Sequence, residues 1–174
     1  MTLLVAATER ELCGLEGLVC GIGPVEAAAS TARALALVGP RAVLHVGIAG
    51  GRGITPATLV LGSEAVYCDA AWEAIPRRAA ADPGCLAALR AALPATPVLA
   101  IGTSARVGGT PPELRVEAME GFAVLRAADL AGVPAIEVRA VSNEVAEPDR
   151  SRWQIEEALE ALAAAIPVLL SALA

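Results

Sequence analysis

Short unbroken apolar runs alternate with longer alanine-rich stretches along nearly the whole chain, and this alternation limits the possible folds more than any single residue does. Leu3 to Ala7, Leu18 to Cys20, Ala42 to Val46, Thr58 to Val66, Val98 to Ile101 and Ala135 to Val141 read as strands. Most are continuous rather than alternating in hydropathy, as strands covered on both faces are. Val25 to Leu37, Gly84 to Leu93, Leu114 to Leu130 and Trp153 to Leu173 read as helices. Strands interleaved with helices predict an α/β fold with a mostly parallel sheet. No repeat or linker interrupts the 174 residues, so one domain over 1–174 is expected. The chain is 56% hydrophobic but only 2% aromatic, so the core must be built from Ala, Val, Leu and Ile.

Several chemistries are excluded by what is missing. The formal net charge is -6 and no basic cluster occurs, which argues against nucleic acid as a partner. All 13 basic residues are arginine, so neither a P-loop lysine nor a Schiff-base lysine exists. The single histidine, His45, rules out an HExxH metal site and reads most simply as a hydrogen-bonded strand residue. Cys13, Cys20, Cys68 and Cys85 show no CxxC spacing and read as reduced, structural thiols, with no metal expected. The start of the chain lacks the basic region of a signal peptide. The apolar tract Ala161 to Ala174 is too short for a bilayer and is interrupted by Pro167. A cytoplasmic protein without a membrane partner is expected.

Two places carry the chemistry. Gly21-Ile-Gly23 opens a helix, yet Glu26 stands where a dinucleotide fingerprint needs Gly or Ala. Together with Gly47-Ile-Ala-Gly-Gly51 it reads as a pair of glycine turns bringing backbone close to one ligand, or as plain strand-to-helix turns. The strand from Ala135 ends in Ser142-Asn143, and ligands of α/β sheets collect beyond the carboxyl ends of strands. Some twenty residues earlier, Val116-Glu-Ala-Met-Glu-Gly121 reads as the opening of a helix that presents Met119 and Glu120.

Taken in order, Ala7-Thr-Glu-Arg-Glu11, Gly21-Ile-Gly23, Val46-Gly-Ile-Ala-Gly-Gly51, Ser63-Glu-Ala-Val-Tyr-Cys-Asp69, Met119-Glu-Gly121 and Arg139-Ala-Val-Ser-Asn143 resemble the nucleoside phosphorylase/nucleosidase superfamily. Within it, Ser142-Asn143 and Glu147-Pro-Asp-Arg-Ser-Arg-Trp153 resemble the futalosine hydrolases. The resemblance implies a three-layer αβα sandwich around a mostly parallel mixed sheet, and cofactor-free hydrolysis of futalosine to hypoxanthine in menaquinone biosynthesis. It implies that Glu11 orients the attacking water, that Glu120 holds the ribose hydroxyls and that Met119 packs on the sugar. Asn143 would hydrogen-bond a 6-oxopurine, beside Ile48 and Ser142. The 5′ carboxylated aromatic group would meet Arg150, Arg152 and Trp153. It further implies a small-molecule nucleoside as substrate and a homodimer or larger homo-oligomer.

The alternatives at single residues are ordinary ones: a solvated first-turn acid at Glu11, a buried helix Met at 119, a Ser-Asn turn at 142–143, and solvated arginines at 150 and 152. For the whole chain they are a methylthioadenosine/S-adenosylhomocysteine nucleosidase or a non-catalytic nucleoside-binding homologue. A phosphorolytic enzyme would need a basic phosphate pocket, for which Arg41 or Arg52 is available.

Overall fold

The apolar run beginning at Ala42 does not stop at its glycines but continues through them as one long strand. The computed structural model describes residues 1–145 and 147–174. Among them the strands are β1 (Thr2–Ala6), β2 (Leu18–Val19), β3 (Ala42–Gly51), β4 (Leu59–Tyr67), β5 (Arg78–Ala80), β6 (Val98–Thr103), β7 (Val116–Ala118) and β8 (Ala135–Glu144). The α-helices are α1 (Pro24–Val38), α2 (Pro83–Ala92), α3 (Gly121–Leu130) and α4 (Ile155–Ala172), with single 3-10 turns at Glu9–Leu12 and Arg150–Arg152. Strands β1–β2, β1–β3, β3–β8, β4–β6 and β6–β7 pair parallel, while β3–β7, β4–β5 and β4–β8 pair antiparallel. The sheet is therefore mixed and mostly parallel, as the sequence predicts.

Alternation along the central strands sorts their side chains into two cores. Leu4, Leu44, Val46, Ile136 and Val138 meet Leu89 of α2 and Leu162, Ile166 and Leu169 of α4. Leu3, Val5 and Val43 meet Ala27 and Leu35 of α1 and Val124, Leu125 and Ala128 of α3. Each fully buried leucine or isoleucine contributes about 1.5–3 kcal/mol. Helices thus cover both faces, which is the expected three-layer arrangement.

The sheet also closes on itself. Strands β3, β8, β4, β6 and β7 form a ring, because β8 pairs with both β3 and β4 while β7 joins β6 back to β3. Its interior is filled by Ala49, Val60, Ile101, Val116, Ala118 and Val141, with every strand of the ring contributing.

Four local expectations need correction. The stretch 114–118 is not helical: Val116 and Ala118 point into the ring as strand residues, and α3 begins only at Gly121. Residues 47–51 are strand rather than a turn, and Asn143 lies inside β8 opposite Gly50 at a register shift. The last helix starts at Ile155, leaving Trp153 in the loop that follows the second 3-10 turn. Pro167 does not break that helix. It is exposed, as is Ala163 one turn earlier, so the carbonyl deprived of its partner faces solvent.

Candidate active site

The carboxyl ends of β1, β6, β7 and β8 open into one cavity of about 630 Å3. Glu11, Ile48, Met119, Glu120, Ser142, Asn143, Arg150 and Trp153 all line it. Their separation along the chain is removed by the parallel order, which sets successive strand ends side by side.

Glu11 is not a solvated acid. It is 6% exposed and sits at the end of a capping box in which Thr8 N–H and Oγ–H donate to its Oε2 at 3.1 and 2.8 Å. Its Oε1 accepts from Ile48 N–H at 3.0 Å. The sequence signal Thr8-x-x-Glu11 is that of a helix start, and here the same carboxylate that closes the turn faces the cavity.

Glu120 is 4% exposed and occupies the N-cap position of α3, where its side chain makes no capping bond to the helix and turns elsewhere. Its Oε1 accepts from Gly23 N–H at 3.0 Å and its Oε2 from Arg139 Nη2 at 3.3 Å. Gly23 adopts φ 88°, a left-handed value that favours glycine. The first glycine turn therefore does bring backbone to the site, through Glu120. The second acts differently. A Cβ at Gly47 would lie 2.1 Å from Arg139 Nη1 and 2.7 Å from Glu11 Oε1, so the bare strand leaves room for two charged groups.

Asn143 is 6% exposed and its amide has a defined orientation. Oδ1 accepts from Ser142 Oγ at 2.8 Å, and Nδ2 donates to the Glu144 carbonyl at 3.1 Å. The flipped amide would set Oδ1 against that carbonyl, lone pair to lone pair. One N–H remains unused, so the amide keeps a free donor beside the second lone pair of Oδ1.

At the other end of the cavity Arg150 stacks over the Trp153 ring, 5.4 Å from its centroid. Trp153 Nε1 donates to the Glu147 carbonyl at 3.2 Å. Arg152 does not reach the cavity. Its side chain is 71% exposed and faces Glu147 and Asp149 at 3.5 and 3.8 Å, whereas Arg150, also exposed, lines the cavity.

The sequence reading overlooked Glu117 and Arg106, both of which line the cavity. Glu117 is buried and ties down the segment after β6 by accepting from Gly108 N–H at 2.6 Å and from Thr110 N–H and Oγ–H at 2.9 and 2.7 Å. That segment carries Arg106 and Val107 along the cavity wall. Reading 114–118 as helix hid Glu117, whose period-two alternation with Val116 and Ala118 was the available signal.

Neither arginine open to a phosphate role is free. Arg52 donates to Thr110 Oγ1, the Thr110 carbonyl and the Leu114 carbonyl at 3.1, 2.9 and 2.5 Å. Arg41 donates to the Leu173 carbonyl at 3.2 Å, beside the C-terminal helix.

The fold is shared with solved nucleosidases. A futalosine hydrolase mutant of Helicobacter pylori superposes with a TM-score of 0.88 at 14% identity, covering 98% of each chain. The S-adenosylhomocysteine nucleosidase of Streptococcus pyogenes superposes with a TM-score of 0.86 at 21% identity, covering 99% of this chain and 97% of that one. At such identities both show the architecture alone. The sequence profile of the Phosphorylase superfamily matches residues 17–174, and the chain belongs to that superfamily. Over 55 residues it is 54% identical to the futalosine hydrolase of Streptomyces coelicolor, a stretch spanning 32% of this chain and 23% of that relative.

Proposed function

We propose that the chain is a purine nucleosidase that hydrolyses the N-ribosidic bond of futalosine and releases hypoxanthine. The observation that carries this reading is the pinned amide of Asn143, which keeps a free N–H donor. A 6-oxopurine presents acceptors at O6 and N7, and an amide N–H satisfies that edge. The 6-amino group of adenine would set donor against donor there.

Hydrolysis rather than phosphorolysis is supported by the charges near the sugar position. Glu11 and Glu120 would repel a phosphate, while Arg52 and Arg41 are already bound to backbone carbonyls. In the proposed reaction Glu120 accepts from the ribose hydroxyls, Met119 packs on the sugar, and Glu11 orients the attacking water as the sugar acquires oxocarbenium character. The local identity to a curated futalosine hydrolase supports the substrate. Exposed Ile22 and Val107 stand at the cavity, where a second copy in a homo-oligomer would exclude water.

Purified protein incubated separately with futalosine, inosine and methylthioadenosine, without phosphate, is expected to release hypoxanthine from futalosine. Adenine from methylthioadenosine instead would restore the adenine-nucleosidase alternative, and release from none would favour a binding protein.

Arg150 and Trp153 are assigned to the 5′ carboxylated aromatic group, and Arg152 is left out. Arg150→Ala is expected to raise KM for futalosine about tenfold or more, the scale of one charged hydrogen bond. Arg152→Ala is expected to leave KM unchanged. Equal effects of the two substitutions in steady-state assays would contradict this division.

A further inference from the structure

Beside Glu120 lies a cluster of buried polar side chains to which the proposed chemistry assigns no role. Glu137 and Arg139 on β8 and His45 on β3 are each no more than 1% exposed. Taking ions out of water is expensive, and apolar side chains of the same volume are often as stable or more so. Stability alone therefore does not explain the cluster.

Its geometry comes from the strand register. His45 pairs with Glu137 and Gly47 with Arg139, so the four positions form a two-by-two block on one sheet face. With no side chain at Gly47, the guanidinium folds across β3 into the space a Cβ would fill. Glu137 Oε1 accepts from Arg139 Nε at 2.7 Å on one side. On another, Arg139 Nη2 donates to His45 Nε2 at 2.6 Å. The histidine tautomer follows from its far end: Nδ1 lies 3.1 Å from the Val5 carbonyl, which can only accept, so Nδ1 carries the proton and Nε2 is free to accept. Burial, and next the Arg139 charge, hold the His45 pKa well below its ordinary value, which keeps the ring a neutral acceptor.

Glu137 is also sterically confined. A Cβ on Gly121, at the start of α3, would lie 2.1 Å from its Oε2. That oxygen has no hydrogen-bond partner among the described residues, and burial raises the carboxyl pKa. A carboxylate kept in so unfavourable a place, with a single strong bond to Arg139, has a task at Arg139. The same guanidinium donates through Nη2 to Glu120 Oε2 at 3.3 Å.

We propose that Glu137 and His45 are positioning residues that clamp the Arg139 guanidinium from two sides, so that Arg139 holds Glu120 in the orientation that meets the sugar hydroxyls. The effect on turnover rests on the nucleosidase reading; the clamp itself does not. Contacts to sugar hydroxyls tighten as the oxocarbenium character grows, so loosening the clamp acts on kcat more than on KM.

The test uses Glu137→Gln, His45→Phe and His45→Gln in the full chain, with thermal unfolding to confirm folding. Glu137→Gln, a near-isostere without the charge, is expected to lower kcat at least about tenfold while KM changes by less than about threefold. His45→Gln, whose amide offers both a donor and an acceptor, is expected to retain more kcat than His45→Phe. In the unmodified protein the Arg139 Nε–H is expected to be protected from solvent exchange in NMR spectra, and to lose that protection in Glu137→Gln. Turnover like the unmodified protein's in both Glu137→Gln and His45→Phe overturns the proposal, and so does a freely exchanging Arg139 Nε–H in the unmodified protein. If the unmodified protein releases no base from any nucleoside, the nucleosidase reading fails, and the Nε–H exchange alone then decides the clamp.

Discussion

Replacing Glu11 by Gln is expected to reduce hypoxanthine release by about 10²–10⁴-fold, the usual contribution of a positioned acid–base group. The site makes this substitution informative because it separates chemistry from architecture. Both carboxylate oxygens accept hydrogen bonds, Oε1 from Ile48 N–H and Oε2 from Thr8 N–H and Oγ–H. A glutamine of the same shape keeps one oxygen acceptor and turns the other into an NH2 facing a donor. The mismatch costs about 1–3 kcal/mol of stability, which lowers the melting temperature without unfolding the protein. What the amide cannot do is accept a proton from water or stabilise a cationic sugar with a full negative charge. Chromatographic release assays at saturating futalosine, run beside a thermal melt, distinguish the two effects. Activity within threefold of the unmodified protein would mean that water is oriented by another group, and Glu11 would then be only the cap of its 3-10 turn.

Much of this arrangement was readable in the residues, and most of the failures share one cause. Strand β8 and the first half of β3 were legible because their apolar runs are continuous, and Asn143 drew notice because it stands near the carboxyl end of β8. Strand β7 was not, since its three residues sit within a stretch that also satisfies a helical pattern. Its identity is decided by β3 and β6 on either side, contacts far away in sequence. Ring closure escaped for the same reason: it depends on β8 pairing with both β3 and β4. The cluster at Arg139 lay in plain view as Glu137-Val-Arg139, with the period-two spacing that puts both charges on one face. Nothing local shows that His45 and Gly47 stand opposite them. At residues 150–153 a single 3-10 turn sends Arg150 to the cavity and Arg152 to solvent, a distinction that side-chain chemistry does not contain.

Asn143→Asp is expected to shift the ratio of kcat/KM for hypoxanthine-bearing over adenine-bearing nucleosides toward adenine by about one to two decades, the effect of about 1–3 kcal/mol from one mispaired polar group. The reason is local. Asn143 Nδ2 now donates to the Glu144 carbonyl while its Oδ1 receives the Ser142 hydroxyl, and the remaining N–H is the group that the proposed function offers to the base. In aspartate the oxygen facing Ser142 is unchanged, but the other becomes an acceptor opposed to the Glu144 carbonyl. Protonation, or rotation toward a donor, relieves that opposition, and the exocyclic amine of adenine is such a donor. A 6-oxopurine offers only O6 and N7 on this edge, so against it an ionised aspartate has no relief. The comparison is best made with a pair of substrates identical beyond the base, such as inosine and adenosine, if both are turned over, because the Arg150–Trp153 wall then contributes equally to each. An unchanged ratio would place base selection elsewhere on the wall, with Glu117 and Arg106 next in line, since both line the same cavity and carry the polar groups to do it. The direction of the shift matters as much as its size. A loss of both activities in equal measure would show that residue 143 holds the purine without choosing it.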